Sequence, residues 1–234
     1  MAMNDLQAEA DKRGFLVYAL EQERTAPLAL GPSGHPSPGP WGTIQEGYCA
    51  GLAVRWIALR YALYDYPFNK ATKICEAPDW QSTRDQNIVL DAWRDTSKPV
   101  PLRFKAAFAK YSLHLNQGAT IDFPIAMNGV VLRRIGQTEK GCHCIYIQGT
   151  GGGHAVAMQN EGSMGGWRFF DANFGHFLLP NAPAFESFVG WFMDKSGYSQ
   201  SLSSQVATVH VSPPPYTGAG FGRGMKVLTN SLGR

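Results

Sequence analysis

The sequence predicts an α+β fold, with helices gathered in the first half of the chain and a mostly antiparallel sheet in the second. Two observations carry this expectation. Apolar residues recur at helical spacing up to about Leu115, whereas after about Ile121 they fall into short β-rich runs separated by turn residues. The composition agrees: 44% hydrophobic, 12% aromatic and only 17% charged residues is the reverse of a disordered chain, and 234 residues suit one domain plus appendages.

Taken in order, residues 4–24 set Leu6, Ala10, Phe15, Val17 and Leu20 against Asp5, Glu9, Asp11, Lys12 and Glu21, an amphipathic helix interrupted only by Gly14. Between 31 and 42, four Gly and four Pro in twelve positions exclude regular structure and mark an extended strap. Residues 1–40 therefore read as a helix-and-strap appendage, and the main domain, 41–212, begins near Trp41. Leu52, Trp56, Leu59 and Leu63, spaced around Arg55 and Arg60, predict a largely buried helix over 50–64 that ends before Pro67. A second helix is expected over 83–93, with Ser82 as N-cap and Asp85 in the manner of a capping box, and a third over 102–115 after Pro101. Strands are expected at 144–148, 154–159, 166–171, 177–179 and 205–211, interrupted by one helix at 184–195. The Pro/Gly-rich stretch 213–234 reads as an irregular tail.

The balance of 21 basic against 18 acidic groups, with no long run of either sign, gives no electrostatic footprint for nucleic acid. The apolar run at 15–20 is shorter than a signal-peptide core and is closed by Glu21, Glu23 and Arg24, and no stretch approaches the ~18 apolar residues of a membrane span. The expectation is a chain with no cleavable signal peptide and no transmembrane segment. Four cysteines are too few for a disulfide scaffold in this length.

Cys49 stands at the expected N-terminus of the 50–64 helix, where unpaired amides and the positive end of the macrodipole stabilise a thiolate. Gln45, four residues earlier, supplies an amide that could face an oxyanion. The plain alternative is a small buried apolar residue, the commonest fate of a free cysteine. A nucleophilic thiol needs a base, and six histidines compete: His35, His114, His143, His154, His176 and His210. His154 is singled out because it follows the glycine-rich run 149–153 and opens the alternating segment 154–158 at a sheet edge. That run lacks the Gly-Lys-Ser/Thr ending of a phosphate loop and precedes a strand, which disfavours nucleotide binding. Asp171 closes the strand at 166–171. If the two strands pair through a turn near 162–165, the start of the first and the end of the second are neighbours, which brings His154 and Asp171 together. The alternative is that Asp171 caps its own turn through Asn173 and Gly175. Cys142-His143-Cys144 holds zinc-type ligands, but alternation puts the two thiols on one face and the imidazole on the other, so packing is the preferred reading. Phe188, Trp191 and Phe192 read as the core face of a helix.

Three segments together resemble a family. Gly47-Tyr48-Cys49-Ala50-Gly51-Leu52 with Trp56, then Gly153-His154-Ala155-Val156-Ala157, then Phe170-Asp171-Ala172-Asn173-Phe174-Gly175 are similar, in order and in the short His-to-Asp interval, to the motifs of the YopT/AvrPphB cysteine peptidases. Ala172 stands where that family commonly has proline. The resemblance, over roughly 41–212, implies a papain-like fold with the Cys helix packed on the sheet. It further implies a Cys49–His154–Asp171 triad with Gln45 at the oxyanion, no cofactor, and hydrolysis of a protein substrate. The family also implies a bacterial effector or toxin exported without a cleavable signal peptide into a target cell, cytoplasmic before export, with a possible secretion chaperone or delivery protein as partner. There are two rivals: a transglutaminase-like acyltransferase or deamidase using the same triad, and a noncatalytic module with zinc on Cys142, His143 and Cys144.

Overall fold

The computed structural model describes residues 3–20, 48–75, 80–93, 95, 97–123, 126–150, 152–162 and 166–213. Gln45, the strap at 31–42 and the tail from 214 onward lie outside them.

The segment expected as one helix over 4–24 is a short helix followed by a strand. Helix α1 (Asp5–Lys12) opens with a capping box in which Asn4 and Gln7 bond reciprocally. It ends at Gly14, whose φ of +73° is the left-handed conformation that closes helices. Leu16, Val17 and Tyr18 then favour extended backbone, and β1 (Leu16–Ala19) pairs antiparallel with a strand at 175–179. The Gln7 amide donates to the Leu20 and Phe174 carbonyls, tying α1 to the edge of the sheet.

Helix α2 (Cys49–Tyr61) is buried almost throughout. Helix α3 (Trp80–Trp93) starts earlier than expected, so Ser82 is an interior residue hydrogen-bonded to the Tyr66 hydroxyl and not an N-cap. Asp85 forms no capping box; its carboxylate takes Lys110 Nζ at 2.8 Å and the Tyr111 hydroxyl. The helix expected over 102–115 is also shorter: a 3₁₀ turn at Val100–Phe104 and helix α4 (Lys105–Ala109) give way to strand β2 (His114–Phe123). The break falls at Ser112, whose φ of 57° no helix interior tolerates.

In the second half strands β3 (Gly141–Gly149), β4 (Gly152–Asn160), β5 (Trp167–Asp171) and β6 (Gly175–Leu179), helix α6 (Ala182–Lys195) and strand β7 (Gln205–Ser212) follow the expected order, with helix α5 (Gly129–Thr138) before them and the short helix α7 (Tyr198–Ser201) after α6 as additions. Helix α5, capped by Asn128, had no counterpart in the sequence reading. The strands form one seven-stranded sheet in the order β1-β6-β5-β4-β3-β7-β2, antiparallel at every pairing.

Alternation along the strands splits the core in two. One face, with Tyr18, Cys142, Cys144, Ala155, Ala157, Phe170, Val209 and Val211, packs on α2. The other, with Ile145, Ile147, Val156, Met158, Phe169 and Phe177, packs on α6 through Phe185, Phe188 and Phe192. The Phe188/Phe192 face is thus core, as expected, while Trp191 sits at its margin with the Arg13 guanidinium 4.7 Å from the ring centroid. No described helix is long and apolar enough to cross a membrane.

His143 on β3 is fully buried, donates from Nε2 to the Glu139 carbonyl at 2.7 Å, and packs against His210 with ring centroids 5.0 Å apart and the rings tilted by 39°. Burial, opposed by the Glu139 carbonyl, lowers its pKa from 6.5 to about 4. The unfolded chain therefore binds a proton between those values that the native state does not. Stability supplied by neutral His143 is complete above about pH 6.5 and is lost as pH falls toward 4, a swing on the order of 3 kcal/mol. Denaturant melts across this range should show that loss in the wild type and a flatter profile in His143→Phe; parallel profiles would contradict it.

Candidate active site

Cys49 is the first residue of α2 and is half-buried. The helix start is held from outside by Gln86, whose Oε1 accepts from the Gly51 N–H at 2.8 Å, while the Leu52 N–H closes the first turn on the Tyr48 carbonyl at 2.9 Å. The Cys49 thiol therefore sits at the positive end of a fixed helix dipole. Lower down the same helix, buried Trp56 stacks on Phe170 at 5.5 Å between centroids, 15° from parallel, and Phe170 immediately precedes Asp171. One aromatic contact thus sets the helix bearing the thiol against the strand bearing the carboxylate.

His154 and Asp171 come from adjacent antiparallel strands, β4 and β5, in the register Val156↔Asp171. His154 Nε2 lies 2.9 Å from Asp171 Oδ2, and both side chains are buried. An ionised carboxylate only accepts, so the imidazole donates from Nε2. That leaves Nδ1 for the hydrogen bond His154 shares with the Cys49 thiol. The Ala155 backbone N–H, next along β4, also donates to the thiol.

These contacts decide the charges. Burial pushes the Cys49 thiol upward, but the facing His154 charge, its hydrogen bond and the Ala155 amide outweigh that and bring it below the ordinary thiol range. Burial likewise opposes charge on His154, and the Asp171 carboxylate and the Cys49 thiolate outweigh it and raise the imidazole well above its usual value. Both shifts favour a thiolate–imidazolium pair over the neutral thiol and imidazole.

The carboxylate is itself anchored. Asp171 Oδ1 accepts from the Asn173 backbone N–H at 2.7 Å, so the turn-capping role and the partnership with His154 coexist in one side chain. Asn173 Nδ2 donates to the Tyr198 hydroxyl at 2.7 Å, and that hydroxyl lies 3.3 Å from His154 Nε2. Tyr198 and the side chain of Asn173 were not assigned a role from sequence; Tyr198 reaches the site from α7, 44 positions beyond His154, and no local pattern marks it. Gly153 has a definite reason beside His154: a Cβ there would meet the Tyr146 hydroxyl at 1.9 Å. Tyr146, with Trp93 5.2 Å away and Arg103 over Trp93, makes a half-buried wall on that side of the thiol.

The remaining candidates go elsewhere. His176 is buried against Trp56 and Tyr18, His143 and His210 pack against each other, and His114 is exposed on β2. Burial pushes Cys142 up to about 12 and drives Cys144 higher still, in an apolar environment that suits packing better than metal ligation. Among the described residues no group of three or more His, Cys, Asp or Glu is arranged to hold a metal ion.

Residues 130–211 match the Peptidase_C58 family, described as Yersinia/Haemophilus virulence surface antigen. This span contains His154 and Asp171 and stops short of Cys49. The fold is similar to the crystal structure of the Pseudomonas avirulence protein AvrPphB, with a TM-score of 0.56 at 18% identity over 70% of this chain and 91% of that one. A search of curated proteins gave no match. The resemblance to the YopT/AvrPphB peptidases is therefore present in sequence over residues 130–211 and in fold over most of the chain, and the architecture is papain-like α+β.

Proposed function

We propose that the chain is a cysteine peptidase that hydrolyses peptide bonds in a target protein, with Cys49 as nucleophile, His154 as general base and acid, and Asp171 as the residue that fixes the imidazole. The observation that carries this reading is the continuous chain of contacts from a helix-terminal thiol through one imidazole to a buried carboxylate at 2.9 Å. The similarity to a peptidase family supports it independently.

In the proposed cycle the Cys49 thiolate attacks the scissile carbonyl, and the Cys49 backbone N–H with the Gln45 amide receives the oxyanion. His154 gives its Nδ1 proton to the departing amine, which leaves an acyl-thioester on Cys49. His154 then takes a proton from water, the hydroxide adds to the thioester, and the thiolate is expelled as the acid product forms. Asp171 keeps the Nε2 proton on the far side of the ring throughout. The reaction consumes one water and needs no cofactor.

The family description and the avirulence protein of similar fold favour a bacterial effector that acts in a target cell after export, with a delivery protein or chaperone as a transient partner. Mass spectrometry of a treated protein substrate tests the chemistry. Two new termini that sum to substrate plus water are expected; an amine adduct, or glutamine converted to glutamate with the chain intact, would replace hydrolysis by acyl transfer or deamidation.

A further inference from the structure

Tyr198 is buried to 8% exposure on the far side of the His154–Asp171 pair from the thiol, with its ring 5.1 Å from the imidazole and tilted by 53°. Its hydroxyl oxygen accepts from Asn173 Nδ2 at 2.7 Å, so the phenolic proton points away from Asn173. Two groups lie in that direction: His154 Nε2 at 3.3 Å, and the Asp171 carboxylate, whose Oδ2 lies 2.9 Å from that same Nε2. Nε2 already carries the proton it donates to Asp171 Oδ2 and offers no lone pair. The phenolic proton therefore goes to the carboxylate.

We propose that Tyr198 is a positioning residue of the triad: its hydroxyl, oriented by Asn173, donates to Asp171 and holds the carboxylate in the plane that the His154 Nε2–H requires. This rests on the peptidase reading above. The Asn173 amide and the His154 ring already converge on this carboxylate, and the Tyr198 hydroxyl is the third donor, which completes the hold on its rotation and translation. The phenol is suited to the task because burial and the neighbouring Asp171 charge raise its pKa far above the ordinary range, so it stays a neutral donor at any working pH. The ring also packs on Phe174 and Phe192, which keeps water from competing for the carboxylate.

Without the hydroxyl, Asp171 keeps two donors and is free to rock about its side-chain bond. The imidazolium is then held less well, and the Cys49 thiolate loses part of its counter-charge. The substitution Tyr198→Phe isolates this effect because the ring and its packing remain. The readout is the rate of Cys49 alkylation by iodoacetamide as a function of pH, which needs no substrate. Relative to wild type, Tyr198→Phe should move the acid limb upward by about half a pH unit and slow labelling at pH 6 about threefold. Its melting temperature should stay close to wild type, and Gln200→Ala, an exposed position on the same short helix, should leave the profile unchanged.

His154→Ala, run in parallel, separates the positioning role of Tyr198 from the triad itself. If His154→Ala slows labelling at pH 6 and Tyr198→Phe has the wild-type profile, or a limb moved toward acid, the positioning role is overturned and the triad stands. If His154→Ala labels as fast as wild type at pH 6, the thiolate–imidazolium reading fails, and the role of Tyr198 fails with it.

Discussion

His154→Ala is expected to lower the rate of peptide hydrolysis by roughly a thousandfold or more, because the one imidazole both sustains the thiolate and delivers the proton to the leaving amine. No other histidine in the described residues can substitute. His143 and His210 are committed to the Glu139 and Lys140 carbonyls, and His176 is enclosed by Tyr18 and Trp56. Asp171→Asn should cost less, since it preserves the shape of the turn and weakens only the hold on the ring. Initial rates on any cleaved protein, measured beside a thermal melt, check both. A His154→Ala variant that keeps wild-type activity would remove the base from the account.

Trp56→Ala is expected to cost about 3–5 kcal/mol of stability, the range for emptying a fully buried tryptophan site. The cavity would open between Phe170, against which the indole stacks at 5.5 Å, and His176, whose ring meets its edge at 5.3 Å. Because these contacts align α2 with β5, the distance between Cys49 and the His154–Asp171 pair should loosen at the same time. Activity should then fall by more than the unfolded fraction alone explains. Trp56→Phe should lose much less, since it refills most of the volume and removes an indole N–H that has no hydrogen-bond partner. Denaturant titration of the two variants decides the matter: equal stability for Trp56→Ala and wild type would show that the indole does not hold helix to sheet.

The hairpin carrying His154 and Asp171 was legible because its information is local. Two alternating runs joined by a short turn bring the first residues of one strand beside the last of the next, and the observed register Val156↔Asp171 is that arrangement. The helix opened by Cys49 was legible for the same reason, from the spacing of Leu52, Trp56 and Leu59. What misled was helical periodicity in segments where a single residue breaks the helix. Gly14 divides α1 from β1, and Ser112 with its positive φ divides α4 from β2, so the edge strand β1 and the first two residues of the other edge strand, β2, read as the continuation of helices. Ser82 and Asp85 look like a capping pair, yet their partners are Tyr66, Lys110 and Tyr111, distant contacts that override a local signal. Tyr198 was invisible for a related reason: its role depends on α7 folding back over a turn formed some 25 residues earlier at Asn173.

In the proposed reading Cys49 is a nucleophile kept as a thiolate by His154, and the other three cysteines are not. Burial raises Cys142 and Cys144, whereas the His154 contact lowers Cys49 despite its burial. Iodoacetamide treatment of the folded protein at pH 6, with the labelled residues mapped by peptide mass spectrometry, tests this most directly. Cys49 should be carbamidomethylated first and nearly alone, with Cys75, Cys142 and Cys144 intact until the chain unfolds; labelling of Cys142 or Cys144 while Cys49 remains free would contradict the assignment.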